Sequence, residues 1–124
     1  MFAIDIDRER RVLQIRVAGF FTQTEATEYI DTIRKKFVSG IGCRGFVTQL
    51  DIREFPLQSQ QVVEALRDHI ERFPKATRIA IICGRSPAKM QMRRLLSRDY
   101  VRYFETPMEA EAWMFGDGMM RTAA

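Results

Sequence analysis

At 124 residues, with 46% hydrophobic and 29% charged residues, the chain has the balance of one ordinary globular domain, long enough to bury a core without disulfides or metal. No apolar run approaches the roughly 20 residues of a membrane span, and Met1-Phe2-Ala3-Ile4-Asp5 lacks the basic-then-apolar order of a secretion signal, so a cytoplasmic location is expected. The net charge is +4, yet the stretch from Arg85 to Arg98 carries five basic residues and no acid, leaving −1 for the rest; such local basicity points to an anionic partner or surface, not to a nucleic-acid-binding protein.

Phe2, Ile4 and Ile6 alternate with Ala3 and Asp5, the period of a half-buried strand. Asp7-Arg8-Glu9-Arg10-Arg11 is a charged turn. Leu13, Ile15 and Val17 alternate with Gln14 and Arg16, so a second strand should pair with the first as a hairpin. Gly19 closes it. Thr22-Gln23-Thr24-Glu25 fits a capping box, and Ala26, Tyr29, Ile30, Ile33 and Phe37 follow at helical spacing until Ser39-Gly40. Phe46-Val47-Thr48-Gln49-Leu50 reads as a third strand ending at Asp51. Val62, Val63, Leu66, Ile70 and Phe73 mark a second helix that stops before Pro74.

The last third reads strand, basic helix, strand, capped helix. Arg78-Ile79-Ala80-Ile81-Ile82-Cys83 is a short apolar run ended by Gly84. Ser86-Pro87 opens a helical pattern with Ala88, Met92, Leu95 and Leu96 on one face; Lys89 and Arg93 flank that face, while Arg94 and Arg98 lie on the far side. Tyr100-Val101-Arg102-Tyr103-Phe104 is the last strand. Thr106 to Glu109 is a second capping box, with Pro107 at the favoured first position and Ala110, Trp113 and Met114 on the apolar side. Gly116 onward reads as a frayed tail, so the domain is expected to span 1–116 and the tail 117–124. The order β-β-α-β-α-β-α-β-α demands crossovers: the expected fold is α/β, a mostly parallel five-stranded sheet packed with four helices, with the hairpin strand at or near an edge.

Two cysteines, Cys43 and Cys83, stand 40 residues apart with no CxxC or Cys/His spacing, so no zinc site is expected. Cys83 reads as a buried small hydrophobe and Cys43 as a loop residue; a cytosolic chain would keep both thiols reduced. The Gly40-Ile41-Gly42 and Gly84 turns lack phosphate-loop spacing, so no nucleotide fingerprint is present and no cofactor is expected.

Four features are candidates for chemistry, each with a plainer structural role beside it. Asp51 ends a strand at the face where open α/β sheets bind ligands, and equally suits a turn or cap. Ser59 stands at a helix N-terminus, where a hydroxyl caps free amides and where a phosphate would also be favoured. Arg85, Lys89, Arg93, Arg94 and Arg98 suit an acidic protein surface, a phosphate or an anionic headgroup, and equally a solvated helix face. His69, the sole histidine, has no Ser, Cys or acid pattern around it and reads as a partly buried structural residue.

Val17-Ala18-Gly19-Phe20-Phe21-Thr22, Leu50-Asp51-Ile52-Arg53-Glu54-Phe55, and Arg78-Ile79-Ala80-Ile81-Ile82 with Val101-Arg102-Tyr103-Phe104 and Glu109-Ala110-Glu111-Ala112-Trp113 resemble the STAS family of anti-sigma-factor antagonists, and more closely the small SpoIIAA-like proteins. The resemblance implies a non-enzymatic regulatory or protein-interaction module whose functional loop follows the third strand. In the antagonists a serine there, within an Asp-Ser-Ser-Gly run, is phosphorylated by a partner kinase, and Ser59 matches its place. Gln58 stands where that run has its acid, Gln60-Gln61 where it has Ser-Gly, and the loop is about a residue shorter. The expected partner is therefore a protein engaged near Asp51–Ser59 and the following helix. The alternative is a carrier or sensor of a lipid or small ligand, using the sheet edge and the basic helix.

Overall fold

Residues 1–42 and 45–116 are described by a computed structural model of the chain. The first two strands, β1 (Phe2–Asp7) and β2 (Val12–Ala18), form the expected antiparallel hairpin. Helix α1 (Gln23–Gly40) leads to β3 (Val47–Glu54), α2 (Gln60–Arg72) to β4 (Arg78–Ile82), and α3 (Lys89–Leu95) to β5 (Val101–Phe104). Helix α4 (Pro107–Glu111) runs into a π-helical turn, Ala112–Gly116. The strands stand in the order β1-β2-β3-β4-β5, parallel from β2 onward, with β1 at the edge.

This order explains the layering. Each crossover steps one strand in the same direction, so right-handed connections lay every crossover helix on the same face. The buried residues of α1, α2 and α3 accordingly share one large core with Leu13, Ile15, Leu50, Ile52 and Ile81. Helix α4 follows the last strand and has nothing left to cross. It folds onto the other face, where Ala110 and Met114 meet Ala80 and Ile82. That second cover lies over β4 and β5 and reaches Val47 at the start of β3. Over β2 and β3 the open face presents Gln14, Arg16, Gln49, Asp51 and Arg53, as a one-sided sheet should.

Three expectations need correcting. Strand β3 does not end at Asp51 but runs to Glu54, because β2 stays beside it: after a register shift between Arg16 and Ala18, Ala18 pairs with Glu54. The basic helix spans only Lys89–Leu95, so Arg98 lies beyond it. The first capping box is half formed. Thr22 Oγ1 accepts from the Glu25 amide at 3.0 Å, but the Glu25 carboxylate pairs with the Met1 amino group at 2.6 Å instead of reaching back. In the second box Thr106 Oγ1 accepts from the Glu109 amide and donates to the Glu109 carboxylate, so that carboxylate meets the cap hydroxyl. Cys83 is buried as expected; Cys43 and the 117–124 tail lie outside the described residues.

Candidate functional site at the carboxyl end of the sheet

The exits of β2, β3 and β4 converge at one end of the sheet, and a buried glutamine ties them together. Gln58 is only 8% exposed. Its Oε1 accepts from the Phe21 amide at 2.9 Å, and its Nε2 donates to the carbonyls of Gly19 at 3.2 Å and Pro56 at 2.8 Å. Its backbone completes a two-way bond with Gln91 of α3: the Gln58 amide donates to Gln91 Oε1, and Gln91 Nε2 donates to the Gln58 carbonyl. Nearby, Ser86 Oγ donates to the Phe55 carbonyl at 2.7 Å and accepts from the Ala88 amide at 3.1 Å. A loop is a risk when buried, because its backbone groups lose water; side-chain amides and hydroxyls supply the missing partners here.

Beside this hub three large apolar side chains are exposed. Phe20 is 74% exposed, Leu57 53% and Met90 62%. Each is the chain neighbour of a residue in the Gln58 network: Gly19 and Phe21, Gln58 itself, and Gln91. Sequence reasoning missed Phe20 and Leu57. The only available signal was negative: Phe20 and Leu57 fall outside every periodic segment, so no core face claims them.

Asp51 and Ser59 do not form one constellation. Asp51 alternates with the buried Leu50 and Ile52, so it stands on the open face of the sheet, away from α1–α3. There Arg53 Nη2 donates to its Oδ2 at 2.7 Å, and the Arg53 amide to its Oδ1 at 3.0 Å. Burial pulls the Asp51 carboxyl upward, but Arg53 and the adjacent Arg16 outweigh it and hold the pKa below the usual carboxylate range. Asp51 is thus engaged in positioning Arg53. The Arg53 stem lies over Gly84, whose φ of 50° suits glycine, and a Cβ there would stand 3.2 Å from Arg53 Cγ. Ser59 caps α2, its Oγ accepting from the Val62 amide at 3.3 Å, and is exposed.

The basic cluster divides. Arg85 and Arg94 are exposed and Lys89 is half-buried at the start of α3. Arg93 lies over the Tyr103 ring at 5.2 Å, and Arg98 bonds the neighbouring Ser97 carbonyl at 3.2 Å. Tyr103 donates to the Leu96 carbonyl, and burial pushes its pKa up to about 12. The side chains therefore spread along α3 and beyond it, with no shared pocket.

His69 is more deeply buried than its sequence context predicts, at 5% exposure. It follows Leu66 by three residues and precedes Phe73 by four, which puts it on the apolar face of α2. Its ring stands edge-on to Tyr29 at 6.0 Å and tilted to Phe73 at 5.0 Å. Burial, aided by Arg34 and opposed by Asp68, lowers its pKa to about 4, and its Nδ1 has no hydrogen-bond partner. Among the described residues no three His, Cys, Asp or Glu side chains gather to hold a metal, and no helix is long and apolar enough to cross a membrane.

No family model and no curated protein matches the chain. Among solved structures, it is similar to an uncharacterized DUF3478-family protein with a SpoIIAA-like fold from Shewanella loihica PV-4. The two share 21% identity at a TM-score of 0.67, over 90% of this chain and 92% of that one. The fold is therefore SpoIIAA-like: a five-stranded mixed sheet with four helices.

Proposed function

We propose that the chain is a non-enzymatic regulatory module of the STAS type, acting in the cytoplasm by binding a partner protein at the carboxyl end of its sheet. The observation that carries this reading is the apolar trio Phe20, Leu57 and Met90 set around a rigid, fully bonded Gln58. Exposed aromatic and Met side chains on a fixed backbone suit the centre of a protein interface. Ser59 and the exposed Gln60 and Gln61 extend the surface along α2, and Arg85 before α3 with Lys89 and Arg94 on it border the surface, so the partner presents an apolar centre with an acidic rim. The SpoIIAA-like fold supports the module class.

A photo-crosslinker placed at Gln61 in native lysate tests the reading. One partner should be captured by wild type and by Val38→Asp, which alters the exposed Val38 on α1, and lost with Phe20→Asp or Leu57→Asp. Capture indifferent to those two variants, or no capture at all, refutes it. Intact mass of the natively expressed protein reports in the same experiment whether Ser59 carries phosphate.

A further inference from the structure

Between the sheet and helices α1, α2 and α3 lies an apolar cavity of about 100 Å³. Its walls are largely aliphatic and aromatic, from Leu13 and Ile15 on β2 to Met92 and Leu95 on α3. Tyr29, Thr48 and His69 are the lining side chains in the interior that carry polar atoms, and His69 Nδ1 is the buried atom left without a partner. The lining residues that are not fully buried are Ile70, Phe73, Pro74, Lys75, Ile79 and Tyr100. All belong to the end of α2, the α2–β4 loop, or the starts of β4 and β5. The mouth therefore opens at the amino end of β4, opposite the Gln58 hub.

We propose that this cavity is a binding site for a small neutral molecule, an aromatic ring or short hydrocarbon bearing one hydroxyl, anchored by that hydroxyl on His69. The volume limits the ligand to one ring at most, since it is smaller than the engineered apolar cavity of about 150 Å³ that admits benzene. Natural pockets combine apolar walls with a few placed polar groups, and here the placed group is the His69 imidazole in the cavity wall. A hydroxyl serves whichever tautomer His69 adopts, since it both donates and accepts. A neutral ligand is favoured, because the one charged lining side chain, Lys75, stands at the mouth and His69 in the interior is held neutral at pH 7. The site differs from the sheet edge and basic helix that the sequence suggested for a small ligand, and does not depend on the partner surface.

Calorimetric titration of the full chain with phenol and with toluene tests this. Wild type should bind both. His69→Phe should weaken phenol at least about fivefold, the loss of one hydrogen bond, and leave toluene within about twofold. Ala76→Leu, which narrows the cavity while keeping His69, should weaken both at least about fivefold. Should His69→Phe fail to fold, the wild-type ring answers directly. His69 is the only histidine, and its ring-nitrogen resonances should move more with phenol than with toluene. Absence of binding by wild type, phenol affinity indifferent to His69→Phe, a ring resonance indifferent to phenol, or binding indifferent to Ala76→Leu overturns the proposal. Phe20→Asp and Leu57→Asp should leave phenol affinity unchanged, so this site and the partner surface fail separately.

Discussion

Removing the Gln58 side chain leaves the Phe21 amide without its acceptor and the Gly19 and Pro56 carbonyls without their donor. Gln58→Ala should therefore lower stability by about 2–3 kcal/mol in urea unfolding, as buried groups lose partners. Ser59 holds one exposed cap: Ser59→Ala should cost about 1 kcal/mol, and Ser59→Asp, an equally good cap, almost nothing. His69 sets a pH dependence. Its folded pKa, about 4, lies below the ordinary 6.5, so the unfolded chain binds more protons between those values. Its contribution is full above pH 6.5 and is lost as pH falls toward 4, a drop on the order of 3 kcal/mol. Urea midpoints of wild type should show that drop and those of His69→Phe should not.

Among the elements, the clearest in the residue pattern are those with strong local signals. Phe2, Ile4 and Ile6 alternate as only a half-buried strand does, and Ser59 and Thr106 cap their helices as their positions imply. The signals fail where distant chain intervenes. Asp51 reads as a strand end because the apolar alternation gives way to charge, yet hydrogen bonds from β2 carry β3 on to Glu54. Glu25 leaves its capping box because the N-terminal ammonium, far away in sequence, is a better partner than a backbone amide. Helix α4 is short and owes its place to tertiary contacts. Trp113, in the π-helical turn, packs on Phe104 and lies beneath Arg78 and Arg102, and its carbonyl accepts from the Arg78 guanidinium. Trp113→Ala should cost about 2–3 kcal/mol in thermal or urea unfolding.

For the whole molecule, the one-directional strand order separates two ends with different chemistry. The carboxyl end gathers apolar and basic residues around Gln58; the amino end of β4 opens on the cavity. Because the stretch from Arg85 to Arg98 carries positive charge without acids, a partner bound at the carboxyl end should bind several-fold more weakly in 0.5 M than in 0.05 M salt, while phenol uptake should not change. Surface-plasmon titration of the captured partner, beside calorimetry with phenol, checks both.

The α/β class, the element order, the parallel sheet with its edge hairpin and the caps Thr22, Ser59 and Thr106 were all present in residue pattern, because alternation, helical spacing and capping are local and have fixed periods. The arrangement of sites was not. Asp51 and Ser59 are eight residues apart yet face different sides of the sheet, while Phe21, Gln58 and Gln91, from three separate connections, share hydrogen bonds. The exposed trio and the cavity holding His69 likewise exist only once the strands are stacked, since burial and convergence belong to the packed chain and to no single stretch of it.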